Sequence, residues 1–192
     1  PPPAIPLTAH ITGFHILFGS EVHLIDSSEA IPLESIKWTS LQNNIWKPVI
    51  CAVNGIACGG GLHFVADSDI VIASDNATFF DTHVKVGLVA GLEPVSLSRK
   101  IPLERVLRMS LIGGGEKIDA NEAKNIGLIS EITKKENLMT RAIEIANKIK
   151  SHSPSALAKT KKAIWQSQET GLNDALQNLS LIHISEPTRP SQ

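Results

Sequence analysis

The sequence predicts an α/β fold, because short apolar segments of strand length alternate with helical segments through much of the chain. Two apolar segments, Val49–Val53 and residues 69–74, are bounded by proline, glycine or polar turn residues. Later segments instead repeat their apolar residues with a helical period, over residues 138–150 and 155–167. We therefore predict an α/β core followed by a mainly helical region.

Composition limits the class of protein. The chain has 192 residues, 42% hydrophobic and 19% charged, which suffices for one buried core. A net charge of −1 and the lack of a basic run argue against nucleic-acid binding. No apolar run approaches the ~20 residues of a membrane span, and the N-terminus does not resemble a secretion signal. We expect a cytoplasmic protein without nucleic-acid or membrane partners, in which Cys51 and Cys58 are reduced core residues.

The predicted elements follow in chain order. The first is a helix over residues 27–46, capped by Ser27 or Ser28 and ended before Pro48. The strand Val49–Val53 turns through glycines directly into a helix that begins near Leu62, and strands over residues 69–74 and 77–80 come next. The remaining elements are helices over residues 92–100 and 103–112, a glycine turn at 113–115, a short helix capped by Asp119 and ending at Gly127, a strand over residues 128–133, and helices over residues 138–150 and 155–167.

The junction between the buried strand and the next helix carries three consecutive glycines, Gly59, Gly60 and Gly61. The first backbone N–H groups of a helix have no intrahelical partner and lie at the positive end of its dipole, which suits a negative oxygen. Glycines leave no side chain to block a closely approaching ligand. The sequence therefore predicts an anion-stabilising corner near Gly60.

A family resemblance starts from the same segment. The run Lys47-Pro-Val-Ile-Cys-Ala-Val-Asn-Gly-Ile-Ala-Cys-Gly-Gly-Gly61, followed by Ala66-Asp-Ser-Asp-Ile-Val-Ile-Ala73, resembles the crotonase family of enoyl-CoA hydratases and isomerases. Segments 77–80, 86–89 and 119–129 resemble later motifs of that family. The resemblance implies a ββα superhelical core, a homo-oligomer (trimer or dimer of trimers) and an acyl-CoA thioester substrate. Coenzyme A then enters as part of the substrate, with no covalently bound cofactor.

The resemblance also implies an oxyanion hole for the thioester oxygen. One donor is the N–H of the middle glycine, Gly60. The segment Phe18-Gly-Ser-Glu-Val22 is the nearest counterpart of the second donor loop, which suggests Ser20. Gly59, Gly61 and Ala57 are the expected substrate-binding positions around Gly60.

Two positions depart from the family pattern. His63 stands where the family has a glutamate, two places after the glycine triplet. His83 likewise stands where the family has a glutamate in the following catalytic loop. Imidazole titrates near neutral pH and can serve as acid and base. His83 and His63 are therefore catalytic candidates, although His83 can also be a loop residue bonding to backbone and His63 a packed polar residue.

The carboxylates and lysines near these motifs each have more than one possible role. Glu93 is a catalytic candidate that orients or charges His83, or else a solvated carboxylate at a helix N-terminus. Asp81 is a further candidate. We expect no metal site, since Asp67 and Asp69 lack other ligands nearby in sequence. The cluster from Lys159 to Lys162 is a solvated helix face or a contact for a coenzyme A phosphate.

Both ends of the chain differ from the family pattern. Residues 1–17 do not resemble the expected N-terminal section, and residues 179–192 resemble a translated sequencing adapter. We expect a crotonase-like α/β core over residues 18–133, an incomplete helical region over 134–178, and non-native ends. The polypeptide as written is expected to be inactive or poorly soluble.

The functional alternatives are an acyl-CoA hydratase, isomerase or hydrolase, and a non-catalytic homologue that binds acyl-CoA or serves as an assembly subunit.

Overall fold

The computed structural model describes residues 38–177 and, for its backbone, one earlier strand. Its strands are β1 (Phe14–Phe18), β2 (Val49–Val53), β3 (Ile56–Cys58), β4 (Ile70–Ser74), β5 (Thr78–Phe80), β6 (Ile118–Asp119) and β7 (Glu131–Thr133). Its helices are α1 (Gly60–Asp67), α2 (Leu92–Leu97), α3 (Leu103–Ile112), α4 (Ala120–Asn125), α5 (Leu138–Lys150) and α6 (Pro154–Ser167), and 3₁₀ turns lie at Val84–Val86 and Lys135–Asn137. The predicted α/β class is confirmed.

The strands form two sheets, and consecutive strands along the chain often belong to different sheets. One sheet has the order β1-β2-β4-β7 and the other the order β3-β5-β6. Strands β2 and β4 pair in parallel in the first sheet, and β3 and β5 pair in parallel in the second. Each turn of the chain thus gives one strand to each sheet before a helix, which is a ββα repeat.

Every residue of β2 is buried, because both faces of its sheet are covered. Cys51 and Val53 belong to the main core with α1 and β5. Ile50 and Ala52 face the other way, against Leu138 and Ala142 of α5. The sequence therefore shows a continuous apolar run here instead of an alternating one. No helix within the described residues combines the length and apolar character that crossing a bilayer requires.

Helix α6 is attached to the first sheet through a buried polar cluster. Lys161 lies 3.0 Å from Oδ2 of Asp69 and donates to the Lys47 carbonyl at 2.9 Å. The indole N–H of Trp165 donates to Oδ1 of Asp69 at 2.7 Å. The prediction of a solvated face is therefore wrong for Lys161, because this lysine compensates the half-buried carboxylate that follows α1. Lys162 is exposed and lies above the Trp46 ring.

The prediction of one helix over residues 27–46 is wrong for the part that the structure describes, where residues 38–46 form turns. The Gln42 side chain accepts hydrogen bonds from the Trp38 and Thr39 N–H groups. Asn44 then takes a left-handed backbone conformation with φ of 55°. Side chain–backbone bonds of this kind compete with helix formation.

The predicted strand Val49–Val53 is confirmed as β2, but its direct turn into the helix is wrong. The short strand β3 intervenes in the other sheet, because Gly55, with φ of 104°, redirects the chain after β2. Helix α1 begins at Gly60, two residues before the predicted start. The strand predicted over residues 128–133 shortens to Glu131–Thr133, and the helix over 92–100 ends at Leu97. Asp119 caps α4 as predicted, accepting from the Glu122 N–H.

Candidate active site

A sharp corner, formed by Gly59 and Gly60, joins β3 to α1. Gly59 has φ of 49° and ψ of −122°, a combination that side-chain-bearing residues rarely adopt. A Cβ atom built on Gly59 would lie 3.8 Å from Cε1 of His83. The imidazole ring of His83 therefore flanks this glycine corner.

Gly60 is the first residue of α1, where a backbone N–H has no intrahelical acceptor. A Cβ atom on Gly60 would lie only 3.0 Å from Cζ3 of Trp38. The corner thus combines a helix-terminal amide that has no intrahelical acceptor with imidazole on one side and indole on the other.

His63 lies three residues after Gly60, so it projects from the same side of the helix one turn later. Its side chain is buried, and its Nε2 lies 3.1 Å from Oε1 of Glu93. Its ring also meets the Trp38 ring edge-to-face, with centroids 5.5 Å apart. His63 is therefore packed and also paired with a carboxylate.

Glu93 belongs to the first turn of α2, which packs against α1. It is 3% exposed, so its interpretation as a solvated carboxylate is wrong. Its Oε1 lies 3.8 Å from Nε2 of His83 in addition to its contact with His63. Burial alone raises the pKa of this carboxyl, but the hydrogen bond from His63 and the nearby imidazole charges outweigh burial and lower the pKa overall. Glu93 is therefore held as a carboxylate between two imidazoles.

His83 lies in the loop after β5 and is oriented by Asp81. The fully buried Asp81 accepts the His83 backbone N–H at 2.8 Å, and its Oδ2 lies 2.9 Å from Nδ1 of the ring. Because a carboxylate only accepts, Nδ1 is the donor in this contact, and in the neutral form of the ring Nε2 then retains the lone pair. Asp81, rather than Glu93, is the closer orienting group for His83.

Together Asp81, His83, Glu93 and His63 form an alternating series of side chains, here called the His–carboxylate row. Single ligand atoms of Asp81, His83 and Glu93 all lie within 4.8 Å of one another, a set that could hold a metal ion. The two carboxylates nevertheless make their close contacts with opposite ring nitrogens of His83. One ion binds only one nitrogen of an imidazole, so the row fits hydrogen bonding and proton transfer better than a shared metal.

The other predicted site residues have different positions. The Ala57 side chain is fully buried in the core, and Gly61 is the second residue of α1 beside the corner. Ser20 lies outside the described residues. Sequence reasoning missed Trp38, because residues 27–46 were assigned to one helix whose apolar positions did not include it.

The chain matches an established protein family over most of its length. The profile described as Enoyl-CoA hydratase/isomerase matches residues 29–184, more than half of the chain. The chain belongs to the enoyl-CoA hydratase/isomerase family. This membership confirms the crotonase resemblance inferred from the glycine segment and its neighbours.

Individual members of the enoyl-CoA hydratase/isomerase family align over much of the chain. The short-chain-enoyl-CoA hydratase of Clostridium acetobutylicum is 35% identical over 167 residues, covering 83% of this chain and 63% of that protein. The (E)-benzylidenesuccinyl-CoA hydratase of Thauera aromatica is 42% identical over 120 residues, covering 62% of this chain and 46% of that protein. The chain thus spans 46% to 63% of the length of these two relatives.

The fold agrees with solved structures of the family. A crystal structure of an enoyl-CoA hydratase/isomerase from Mycobacterium paratuberculosis has a TM-score of 0.71 and 45% identity to this chain. The match covers 73% of this chain and 56% of that one. The two-sheet ββα arrangement described above is therefore the crotonase fold.

Proposed function

We propose that this family member is an acyl-CoA-processing enzyme that forms a thioester enolate and uses imidazoles where hydratases use a glutamate pair. The observation that carries the proposal is the position of His83. Its ring lies beside Gly59, with Cε1 3.8 Å from that residue's Cβ position, while Nδ1 contacts Asp81. In the neutral imidazole this arrangement leaves the Nε2 lone pair available as a general base near the Gly60 amide at the start of α1.

Hydration of an enoyl thioester is the reaction that we favour. Nε2 of His83 removes a proton from water as the water oxygen bonds to the β-carbon. The electrons of the carbon–carbon double bond then move onto the thioester oxygen, and the Gly60 N–H stabilises the resulting enolate. The imidazolium is stabilised by Asp81 at Nδ1 and by the Glu93 carboxylate, 3.8 Å from Nε2.

The second half of the reaction returns the proton. The enolate collapses and the α-carbon takes a proton from the imidazolium, so one water molecule has been added overall. His63 keeps Glu93 ionised by hydrogen bonding, so a fixed negative charge lies 3.8 Å from Nε2 of His83. Ser20 remains the proposed second oxyanion donor, and Gly59, Gly61 and Ala57 the proposed substrate-binding positions.

The family relatives support the substrate class. The two relatives compared above carry names that describe hydratases of coenzyme A thioesters. We extend this to the present chain as an acyl-CoA substrate, and we retain a homo-oligomeric assembly and a cytoplasmic location as parts of the proposal.

An isomerase would use the same enolate but move a proton between two carbons. A hydrolase would direct the activated water to a carbonyl carbon.

A panel of enoyl-, dienoyl- and β-ketoacyl-CoA esters distinguishes these reactions when incubated with protein carrying this sequence. His83→Ala should reduce turnover by about 10²-fold or more while leaving thioester binding nearly unchanged. His152→Ala is the matched control, since His152 is exposed and distant in sequence from the row. Binding without turnover of any ester by the unmodified protein would refute the enzymatic proposal and support a non-catalytic acyl-CoA-binding homologue.

A further inference from the structure

Trp38 is a third element of the glycine corner that the proposed chemistry does not use. The six-membered part of its indole packs against the Gly60 backbone, with Cζ3 3.0 Å from the Cβ position. His83 occupies the corresponding position beside Gly59. A ligand that reaches the Gly60 amide is therefore bounded by indole on one side and by imidazole on the other.

Trp38 also contacts the buried histidine. Its ring meets the His63 ring at 73° with centroids 5.5 Å apart, a favourable edge-to-face geometry. His63 has Glu93 at Nε2, so the indole and the carboxylate hold its ring on two sides. Loss of the indole would leave His63 free to rotate away from Glu93.

The position of Trp38 is itself fixed by its neighbours. Its backbone N–H donates to the Gln42 side chain at 2.8 Å. The adjacent Thr39 hydroxyl donates to the buried carboxylate of Asp67 at 2.6 Å, at the far end of α1. The segment that carries the indole is thus anchored to the helix that carries His63.

The indole N–H of Trp38 is buried and has no hydrogen-bond partner among the described residues. An unpaired buried donor is destabilising, and such groups are uncommon in folded proteins outside functional or strained sites. A site selected only for stability would favour an apolar side chain of similar size. Retention of tryptophan here is consistent with a role in the site.

We propose that Trp38 is a positioning and specificity-determining residue, which holds His63 against Glu93 and limits the size of the acyl group bound at Gly60. This inference rests on the proposed acyl-CoA function for its specificity part only. The contact with His63 is testable without any substrate.

The substrate-free test uses tryptophan fluorescence at a single pH, with the variants Trp38→Phe, His63→Gln and Trp46→Phe. An imidazole in ring contact alters indole emission, so His63→Gln should change the emission of the unmodified protein. The same substitution should have no effect in the Trp38→Phe background and should keep its effect in the Trp46→Phe background. An effect of His63→Gln that survives Trp38→Phe, or that is absent from the unmodified protein, would overturn the positioning role.

The specificity test compares short, branched and aromatic enoyl-CoA esters with Trp38→Phe and Trp38→Leu. Both variants enlarge the space beside Gly60, so the ratio of kcat/KM for bulky over short esters should rise about tenfold. Trp38→Phe keeps a ring against His63 and should retain kcat within about threefold, whereas Trp38→Leu should lose at least about tenfold. Equal loss of kcat in both variants, or an unchanged ester ratio, contradicts the inference.

The two possible failures can be separated. If the unmodified protein turns over no ester, the proposed function fails, and relative binding of the same esters then tests the size limit by calorimetry. If turnover occurs and substitution of Trp38 leaves the ratio of kcat/KM for bulky over short esters unchanged, only the inference about Trp38 fails. Thermal unfolding of each variant shows which losses come from folding, and Trp38→Phe is the variant expected to fold normally.

Discussion

Nε2 of His63 lies 3.1 Å from Oε1 of Glu93, and both side chains are buried between helices α1 and α2. This pair explains why a carboxylate that follows a loop is ionised inside the protein. It also links the helix that starts at the glycine corner to His83 in the loop after β5, because Glu93 lies 3.8 Å from Nε2 of that histidine.

Replacement of Glu93 by Gln should remove the fixed negative charge while keeping the size of the side chain. We expect kcat to fall by about 10²-fold, because the imidazolium formed at His83 loses a stabilising partner. Steady-state kinetics with the preferred ester measure this effect. Glu104→Gln, which neutralises an exposed carboxylate on α3, is the control and should change kcat less than twofold.

The same carboxylate predicts an acid-dependent loss of stability. Burial by itself would raise the pKa of Glu93, but the hydrogen bond from His63 and the charges of the two imidazoles together lower it below its ordinary value of 4.5 in the folded state. A carboxyl with a depressed pKa contributes stability that is fully present above pH 4.5 and is lost as pH falls through the folded value. Urea unfolding between pH 3 and 6 should show a steeper loss in the unmodified protein than in Glu93→Gln. Equal slopes of unfolding free energy against pH in the two proteins would contradict the lowered pKa of Glu93.

Replacement of Asp81 by Asn should disrupt the tautomer of His83. An amide nitrogen can donate to Nδ1, which would place the imidazole proton on Nε2 and remove the base from the reacting side. We expect kcat to fall by about 10²-fold or more with little change in the binding of a non-reactive acyl-CoA. Asp75→Asn, at an exposed ion pair with Lys134, is the control. A loss of affinity with unchanged kcat would argue that Asp81 acts only on loop structure.

Replacement of Gly60 by Ala should disturb the corner through Trp38. The added Cβ would meet Cζ3 at 3.0 Å. Overpacking of this kind typically costs about 1–3 kcal/mol, of which the helix preference for alanine offsets up to about 1 kcal/mol. The displaced amide should lower kcat by about tenfold or more. Gly171→Ala, at an exposed position with no contact under 3.8 Å, should leave both quantities unchanged.

The half-buried Lys100 and the buried Cys51 predict an unusual alkaline stability profile. Desolvation lowers the pKa of Lys100 from 10.5 to about 8, against the opposing charges of Asp67 and Asp69. The unfolded chain therefore binds more protons from pH 8 to 10.5, and stability rises with pH. Burial raises the pKa of Cys51 from 9.0 to about 12, so its thiol lowers stability as pH rises above 9.

The contributions of Lys100 and Cys51 add. The free energy of unfolding should therefore rise from pH 8 to 9, change little up to pH 10.5, and decrease above pH 10.5. Lys100→Met should abolish the rise, and Cys51→Ala should abolish the contribution of the thiol to the decrease. Urea unfolding at closely spaced pH values measures both slopes. A steady decrease from pH 8 in the unmodified protein would contradict the burial of Lys100.

The Lys161–Asp69 pair predicts the largest loss of stability outside the site. The Lys161 and Asp69 side chains are 4% and 18% exposed, and Trp165 donates to the same carboxylate. Lys161→Met leaves this carboxylate without its cation, which should cost about 3–5 kcal/mol. Lys162→Met removes a neighbouring exposed lysine and should change stability by less than about 0.5 kcal/mol. Chemical unfolding of the two variants provides the comparison.

The sequence was informative where local chemistry determines structure. The buried run of β2, the Asp119 cap and the glycine corner could be predicted, because apolar continuity, capping and glycine each act over a few residues. The pairing of His63 with Glu93 could not, since residues thirty positions apart meet only after α1 packs on α2. Trp38 was missed and Lys161 was misassigned for the same reason: their contacts depend on residues distant in sequence, Gly60 for the indole and Asp69 for the lysine.

Exchange of the α-hydrogens of an acyl-CoA in D₂O, followed by NMR, tests enolate formation at the glycine corner whatever the net reaction. The account predicts deuterium at the α-carbon at a rate about 10²-fold or more above that of the His83→Ala variant. Exchange no faster than in buffer, or equal exchange with and without the His83 imidazole, would contradict it.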